Sequence, residues 1–134
     1  MKEPTWVDER DARTLHAKLL SLHGGASGLR DAGLLASALA RPKQQFVYSD
    51  KPDLIAMAAA YTAGIVKNHP FVDGNKRVGF VVGVLFLEIN GYTFKASEAQ
   101  SAQAVINLAA GELDELGYAQ FLNQNVVQRR QRSR

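Results

Sequence analysis

The sequence contains no cysteine among its 134 residues. This absence excludes a disulfide framework, a thiolate metal site and a cysteine nucleophile, and it is compatible with a reducing compartment. Long hydrophobic runs are also missing, since the longest spans the ten residues 78–87 and a membrane helix needs about 17–25. The opening MKEPTWVDER is too polar for a secretory signal. We therefore expect a soluble, cytoplasmic protein without a membrane segment.

Positive charge is scarce outside the last six residues. The net charge is +3, but four of the 16 basic residues are Arg129, Arg130, Arg132 and Arg134. Without them, residues 1–128 carry 12 Lys and Arg against 13 Asp and Glu. Residues 129–134 are therefore expected to form a basic, disordered tail. No basic stretch is interleaved with aromatic residues, so direct nucleic-acid binding is not expected.

The composition, with 46% hydrophobic and 22% charged residues, is typical of one globular domain. Apolar residues recur at helical spacing, and Gly, Pro and Asn separate the periodic segments. The predicted fold is a single all-α domain over residues 1–128. Its six helices are expected at about residues 8–23, 32–40, 53–67, 75–90, 97–110 and 113–127.

The helix at 75–90 is apolar on every face between residues 78 and 87, which predicts a helix at the centre of the protein. Gly79 and Gly83 would allow a neighbouring helix to approach closely. Residues 42–52 are bounded by prolines and are expected to form a loop or short hairpin after a helix that Pro42 ends. Arg30 and Asp31 are expected to form a turn ion pair with a helix cap, and His16 to be a hydrogen-bonded packing residue.

The segment HPFVDGNKR, residues 69–77, gathers reactive side chains immediately before that apolar helix. The first amide groups of a helix lack intrahelical partners, and the helix dipole makes this end positive. Gly74, Asn75, Lys76 and Arg77 would add flexible backbone and two cations, which favours binding of a phosphate. The GxxxxGK[ST] pattern is absent, so the nucleotide fold that carries this motif is not implied.

Two residues of this segment each have two interpretations. Asp73 could hold Mg²⁺, which takes one or two carboxylates together with phosphates, or it could cap the helix. His69 could remove a proton from an attacking hydroxyl group, or it could be a hydrogen-bonded structural residue. The spacing of the residues alone leaves both pairs of alternatives open.

The same nonapeptide resembles the Fic/Doc signature, HPFx(D/E)GN(G/K)R, at every defined position. The resemblance extends to LHAKLLSLHGGASGLRDAGLLASALARP before the motif and to FLEINGY and AAGELDE after it, which are similar to parts of Doc-type (death-on-curing) proteins. It implies an all-α fold of about six helices. It also implies His69 as the catalytic base, Asp73 as the metal residue, and Gly74, Asn75, Lys76 and Arg77 as the phosphate-binding corner, with Asp73, Lys76 and Arg77 counted among the catalytic residues.

Two departures from AMP-transferring relatives resemble the Doc branch: Lys76 replaces a glycine, and Phe80 stands where those relatives have a second arginine. The implied reaction is transfer of the γ-phosphate of ATP, with Mg²⁺, to a threonine hydroxyl of elongation factor Tu, which arrests growth. In the wider family the segment corresponding to residues 42–52 positions the target, so Phe46 and Tyr48 become candidate contacts, with ordinary loop packing as the alternative. No (S/T)xxxE(G/N) inhibitory helix is present, which implies restraint by a separate antitoxin.

Three other functions remain open from the sequence. The site could transfer AMP instead of phosphate to a protein hydroxyl group. The domain could be a catalytically inactive helical module that binds a partner. A helix-turn-helix DNA-binding protein is less favoured, because no helix carries a cluster of basic side chains.

Overall fold

The computed structural model describes residues 1–129. It consists of six helices and one two-stranded sheet, and the all-α prediction is confirmed. In chain order the elements are α1 (Glu9–His23), α2 (Ala32–Tyr48), α3 (Leu54–Asn68), α4 (Asn75–Ile89), β1 (Tyr92–Phe94), α5 (Glu98–Ala110), α6 (Glu115–Gln124) and β2 (Val126–Gln128). Five of the six predicted helices start within one residue of the observed ones, and the sixth, α6, starts two residues later than predicted.

Five helices begin with a side chain that accepts a hydrogen bond from the backbone of the first turn. The capping residues are Asp8, Asp31, Asp53, Ser97 and Asp114. Such caps satisfy amide groups that have no intrahelical partner. Helix α4 is different, because its N-cap is Gly74, which offers no side chain for this purpose.

The most buried helix is α3. Eleven of its residues are buried, and its alanines and Gly64 let neighbouring helices approach closely. Helix α4, which the sequence places at the centre, packs one face on α3 through Gly79 and Gly83. A Cβ atom on Gly83 would collide with the Thr62 hydroxyl and lie 3.0 Å from the Ala58 carbonyl oxygen. The predicted close approach at both glycines is therefore confirmed, whereas the other face of α4 borders a cleft.

Pro42 does not end α2, so the prediction of a loop or hairpin over residues 42–52 is wrong for residues 42–48. The helix continues to Tyr48 with Pro42 buried inside it. Pro42 has no N–H for the Ala38 carbonyl, and that oxygen lies against Gly64 of α3. Arg41 holds the same turn by donating to the Ala60 carbonyl oxygen at 3.2 Å and to Glu115 at 2.6 Å. These tertiary contacts outweigh the local effect of proline.

The C-terminal part differs from the sequence prediction in two further respects. Helix α6 ends at Gln124 and not near residue 127, and β2 pairs antiparallel with β1, Phe94 opposite Val126. Arg129, assigned to the tail from the sequence, donates its amide to the Gly91 carbonyl and its guanidinium to the Tyr92 and Glu88 carbonyls. The remainder of the predicted tail, residues 130–134, lies outside the described residues.

The N-terminal segment packs on the far end of α4. The ring of Trp6 is stacked on Phe86, with centroids 5.8 Å apart, and Phe46 meets Trp6 edge-on at 5.9 Å. Thr5 and Asn90 exchange two hydrogen bonds, since Asn90 Oδ1 accepts from the Thr5 amide at 2.8 Å and Asn90 Nδ2 donates to the Thr5 carbonyl at 2.9 Å. Within residues 1–129, no helix is both long and apolar enough to cross a membrane.

Candidate active site

His69 occupies the turn between α3 and α4. It follows the last residue of α3 and has a left-handed backbone, with φ 51° and ψ 54°. Among residues 1–129 it is the only non-glycine residue with a positive φ angle. A side chain in this conformation costs about 1–2 kcal/mol, so surrounding contacts must hold it. The His69 side chain is exposed and lines a cleft.

The loop after His69 is tied to the connection between α1 and α2. Phe71 forms an antiparallel bridge with Leu29, and the Val72 amide donates to the Gly28 carbonyl at 3.0 Å. The Phe71 side chain is buried, as expected for an anchor. These contacts fix the path of residues 70–72 against a segment that lies about 40 residues earlier in the chain.

Asn75 closes the loop upon itself. Its side chain is buried, its Oδ1 accepts from the Phe71 amide at 3.0 Å, and its Nδ2 donates to the Phe71 carbonyl at 2.9 Å. The side chain is therefore committed to shaping the loop. For the predicted phosphate contact, Asn75 offers its backbone amide at the start of α4.

Asp73 lies at the rim of the cleft with both carboxylate oxygens near backbone amides. Oδ2 accepts from the Ala26 amide at 3.2 Å and Oδ1 from the Gly74 amide at 2.8 Å. The hydrogen bond from Ala26, followed by that from Gly74, holds the pKa of Asp73 below its ordinary value of 3.8. The carboxylate is therefore ionised at neutral pH and caps its own loop rather than the first turn of α4.

His16 supports this loop from α1, as the sequence predicts for a hydrogen-bonded packing residue. Its ring is buried and is stacked on Phe71, with centroids 3.9 Å apart and planes at 12°. Its Nε2 lies 2.7 Å from the Asp73 carbonyl oxygen. His16, which lies outside the motif, thus supports the loop that carries Asp73.

The start of α4 is the positive end of the site. Gly74 adopts a left-handed conformation, φ 79° and ψ 17°, and offers no capping side chain. Lys76 and Arg77 are exposed in the first turn. Amide groups without a capping partner, the helix dipole and two cations together favour an anion here.

One cleft contains all six of the predicted motif residues. Its volume is about 870 Å³, and His69, Asp73, Gly74, Asn75, Lys76 and Arg77 lie along one part of its wall. The remaining wall is mostly apolar and comes chiefly from α4 and α5, including Phe80, Val84, Val105 and Ile106, with Leu19 and His23 contributed by α1. The cleft therefore joins a charged, anion-binding corner to an apolar groove.

Phe46 and Tyr48 are not brought to this corner. Phe46 packs on Trp6, which lies on Phe86 near the opposite end of α4. Eleven residues separate Asn75 from Phe86, which is about 16 Å along a helix. Tyr48 is 83% exposed and does not line the cleft. The continued helix α2 directs both residues away from the motif.

The carboxylate of Asp73 has the donor chemistry that the predicted magnesium ion would require. Each of its oxygens accepts one amide hydrogen bond, which leaves a lone pair on each, and Mg²⁺ is usually bound by one or two carboxylates plus phosphates. Residues 1–129 contain no group of three or more His, Cys, Asp or Glu that could hold a metal ion.

The comparisons with known proteins agree with the fold and the motif. Residues 6–87, from the N-terminal segment through most of α4, match the Fic/DOC family. The match covers more than half of the chain and includes the whole nonapeptide, so this protein belongs to the Fic/Doc family.

A curated relative lies within the same family. The chain is 38% identical over 89 residues to Toxin Doc of Mycolicibacterium smegmatis (strain ATCC 700084 / mc(2)155). The aligned part covers 65% of this chain and 68% of that protein. The chain is therefore similar to a Doc-type toxin over about two thirds of both lengths.

Sequence reasoning missed the role of one residue near the site. Arg30 was expected to pair with Asp31, but it donates to the carbonyl oxygens of Asn68 and His69. Asp31 caps α2 as predicted, by accepting from the Leu34 amide at 2.9 Å. The clue in the sequence was an arginine directly before a helix cap, and only the fold shows which helix end it contacts.

Proposed function

We propose that this protein is a Doc-type toxin that transfers the γ-phosphate of ATP to a hydroxyl group of a translation protein. The observation that carries the proposal is the location of His69 on the wall of the cleft that also contains the uncapped start of α4. Phosphoryl transfer to a hydroxyl group requires a proton acceptor beside an anion-binding site.

Lys76, Arg77 and the first amides of α4 bind the phosphate oxygens and stabilise the charge that develops on them. Positioning and charge stabilisation supply most of the catalysis in phosphoryl transfer. Asp73 would hold Mg²⁺ together with the nucleotide, and the ion supplies charge neutralisation at the phosphates.

The proposed reaction has one proton transfer and one substitution at phosphorus. His69 accepts the proton of the target hydroxyl group as its oxygen bonds to the γ-phosphorus. The bond between that phosphorus and the β–γ bridging oxygen breaks, and ADP leaves. The target is proposed to be a threonine of elongation factor Tu. The enzyme would then act in the cytoplasm, and modification of the factor would arrest growth.

Phe80 favours phosphate transfer over AMP transfer. It lies one turn after Arg77 on the same cleft wall, where the AMP-transferring relatives are expected to have a second arginine. An aromatic ring at this point supplies no cation for phosphates held deeper in the cleft. The nucleotide is therefore proposed to bind with its γ-phosphate near His69.

The apolar groove between α4 and α5 is proposed to receive the helical tail of an antitoxin. Phe80, Val84 and Ile106 line it, and Ile106 is 49% exposed. An amphipathic helix inserts its apolar side chains into a groove of this kind. Occupation of the groove would block the entrance to the charged corner.

The test is incubation of the purified protein with elongation factor Tu, ATP and Mg²⁺, followed by mass spectrometry of the factor. A gain of about 80 Da identifies phosphate transfer, and a gain of about 329 Da identifies AMP transfer instead. His69→Ala should abolish the modification while retaining nucleotide binding, and Lys76→Ala should weaken that binding.

Lys18→Ala is the matched control for Lys76→Ala, because Lys18 is an exposed lysine on α1 that does not line the cleft. Two results together would reject the proposal: elongation factor Tu stays unmodified, and cells that express the wild type grow as well as cells that express His69→Ala. The protein would then be a binding module without catalytic activity.

A further inference from the structure

Arg30 lies outside the motif and contacts the end of α3 directly. Its Nε donates to the His69 carbonyl oxygen at 2.7 Å, and its Nη2 donates to the Asn68 carbonyl oxygen at 2.8 Å. The last carbonyls of a helix have no intrahelical partner, and they carry the negative end of the helix dipole. A planar guanidinium can bind two neighbouring oxygens at once, which a lysine ammonium cannot do with the same geometry.

The backbone of the same residue binds the next carbonyl in the chain. The amides of Arg30 and Asp31 both donate to the Pro70 carbonyl oxygen, at 2.6 and 3.0 Å. Three successive carbonyl groups, those of residues 68, 69 and 70, are therefore held by one dipeptide. His69 is the middle residue of this triplet.

The dipeptide is itself anchored on both sides. Asp31 caps α2 through the Leu34 amide, and the Asn68 side chain donates to the Leu34 carbonyl at 2.9 Å. These hydrogen bonds connect the start of α2 to the end of α3, and Arg30 extends this connection to His69. A connection of this kind can maintain the left-handed backbone conformation of a non-glycine residue such as His69.

The charge of Arg30 is not used in a salt bridge. The two ion pairs found within residues 1–129 are Arg13 with Glu9 and Arg41 with Glu115. Arg30 is also exposed, and an exposed cation contributes little to global stability. Its two hydrogen bonds therefore matter chiefly for the local conformation of the residue that they hold.

We infer that Arg30 is a positioning residue, which fixes His69 in its left-handed conformation and thereby directs the imidazole into the cleft. The inference rests on the proposed function, in which His69 accepts the proton of the target hydroxyl group. Arg30 would not touch the nucleotide, because it does not line the cleft and its guanidinium donates to the Asn68 and His69 carbonyls.

The experiment compares wild type, Arg30→Gln and Arg30→Lys in steady-state transfer assays. A displacement of about 1 Å at a reacting group can reduce the rate about 100-fold, so kcat should fall about 10- to 100-fold in Arg30→Gln. KM for ATP should stay within about threefold of the wild-type value, since the contacts of residues 74–77 are unchanged. Arg30→Lys should recover only part of the rate, because it restores the charge but not the paired donors.

Arg13→Gln is the matched control, since Arg13 is an exposed arginine that pairs with Glu9 on α1. It should leave kcat and KM unchanged. Wild-type kcat in Arg30→Gln would overturn the inference, and so would full recovery in Arg30→Lys or a loss of kcat that merely follows the unfolded fraction measured by circular dichroism.

A second readout is independent of catalysis. The His69 amide donates to the Ile65 carbonyl at 3.0 Å, so its hydrogen exchange reports the integrity of this turn. Exchange at His69 should be at least about tenfold faster in Arg30→Gln than in wild type or Arg13→Gln. If hydrogen exchange at the His69 amide is the same in Arg30→Gln as in wild type, the inference is contradicted, whatever the catalytic activity of the variant. Faster exchange in a protein that transfers nothing supports the structural role of Arg30 and rejects the proposed function alone.

Discussion

The ring of His16 and the backbone carbonyl of Asp73 form a 2.7 Å hydrogen bond between α1 and the motif loop. A carbonyl oxygen can only accept, so Nε2 of His16 must carry the proton. The same ring is stacked on Phe71. One buried side chain thus supports two residues of the nonapeptide from outside it.

Replacing His16 with phenylalanine separates these two contacts. The stacking on Phe71 should remain, while the Asp73 carbonyl loses its donor. We expect a loss of about 1–3 kcal/mol in the free energy of unfolding, measured by urea denaturation, together with weaker ATP binding measured by calorimetry. His23→Phe, at an exposed histidine of the same helix, is the control for stability alone, since His23 also lines the cleft, and it should leave the free energy of unfolding nearly unchanged. Equal stability of both variants would contradict the bond.

The ionised carboxylate of Asp73 should stabilise the folded protein, and this contribution should be lost at acid pH. The Ala26 and Gly74 amides hold the pKa of Asp73 below its ordinary value of 3.8, so the ionised form stabilises the folded state. This contribution is present above pH 3.8 and is lost as the pH falls through the lowered pKa. The urea midpoint of Asp73→Asn should therefore be below that of wild type at pH 6, and the two should converge in strong acid. A difference that persists at all pH values would argue against this assignment.

Tyr61 should be sensitive to removal of its hydroxyl group. The hydroxyl accepts from the Val7 amide at 3.0 Å and donates to the Val7 carbonyl at 3.1 Å, all within the core. Tyr61→Phe leaves both groups of Val7 without this partner, which should cost about 1–3 kcal/mol of unfolding free energy. Chemical denaturation at pH 7 measures the loss, with Tyr48→Phe, 83% exposed, as the control.

The same hydroxyl group should also affect stability in alkali. Burial raises the pKa of Tyr61 from 10.0 to about 12, so the folded state favours the protonated form. The stability linked to that proton is complete below pH 10 and is lost as the pH rises through 12. Tyr61→Phe should show a smaller loss across this interval, with a remainder from Tyr118, whose pKa is also raised by burial. An identical loss in wild type and variant would contradict this prediction.

Gly83 should not tolerate a methyl group. Its Cβ would collide with the Thr62 hydroxyl and press on the backbone of Ala58, and overpacking of this kind costs about 1–3 kcal/mol. Gly33→Ala provides the comparison, because the atom that it would meet, at 3.3 Å, is Oδ1 of the Asp31 side chain, which can shift although it caps the Leu34 amide. That variant should cost less unfolding free energy than Gly83→Ala, because the helix propensity of alanine offsets part of the tight contact. Thermal denaturation of the two variants compares them directly.

The features predicted correctly from the sequence are those with a local cause. Helix positions followed from apolar spacing, and Asp31 was recognised as a cap because its pattern is local. The grouping of His69, Asp73 and residues 74–77 around one cleft also follows from local order, since nine consecutive residues span one helix end and the next helix start. The close approach at Gly79 and Gly83 was predicted because glycines four residues apart lie on the same face of a helix.

The features that the sequence did not predict depend on distant contacts. Pro42 was interpreted as a helix end because proline disrupts a helix by itself, whereas tertiary contacts, among them those of Arg41 with Ala60 and Glu115, maintain the helix around it. Phe46 was consequently assigned to a loop near the site, while the longer helix brings it to Trp6. Arg30 shows the same limit, because its partners at the end of α3 lie 38 and 39 residues away.

The pairing of Thr5 with Asn90 has a consequence for synthesis of the protein. The first residues of the chain close over the far end of α4 by bonds that span 85 positions. A chain that emerges from its N-terminus cannot make these bonds until Asn90 has also emerged, and contacts of such separation form late. An unfinished polypeptide would therefore lack these bonds while it is still on the ribosome, and the protein would gain its complete fold only after Asn90 has been synthesised and released from the exit tunnel.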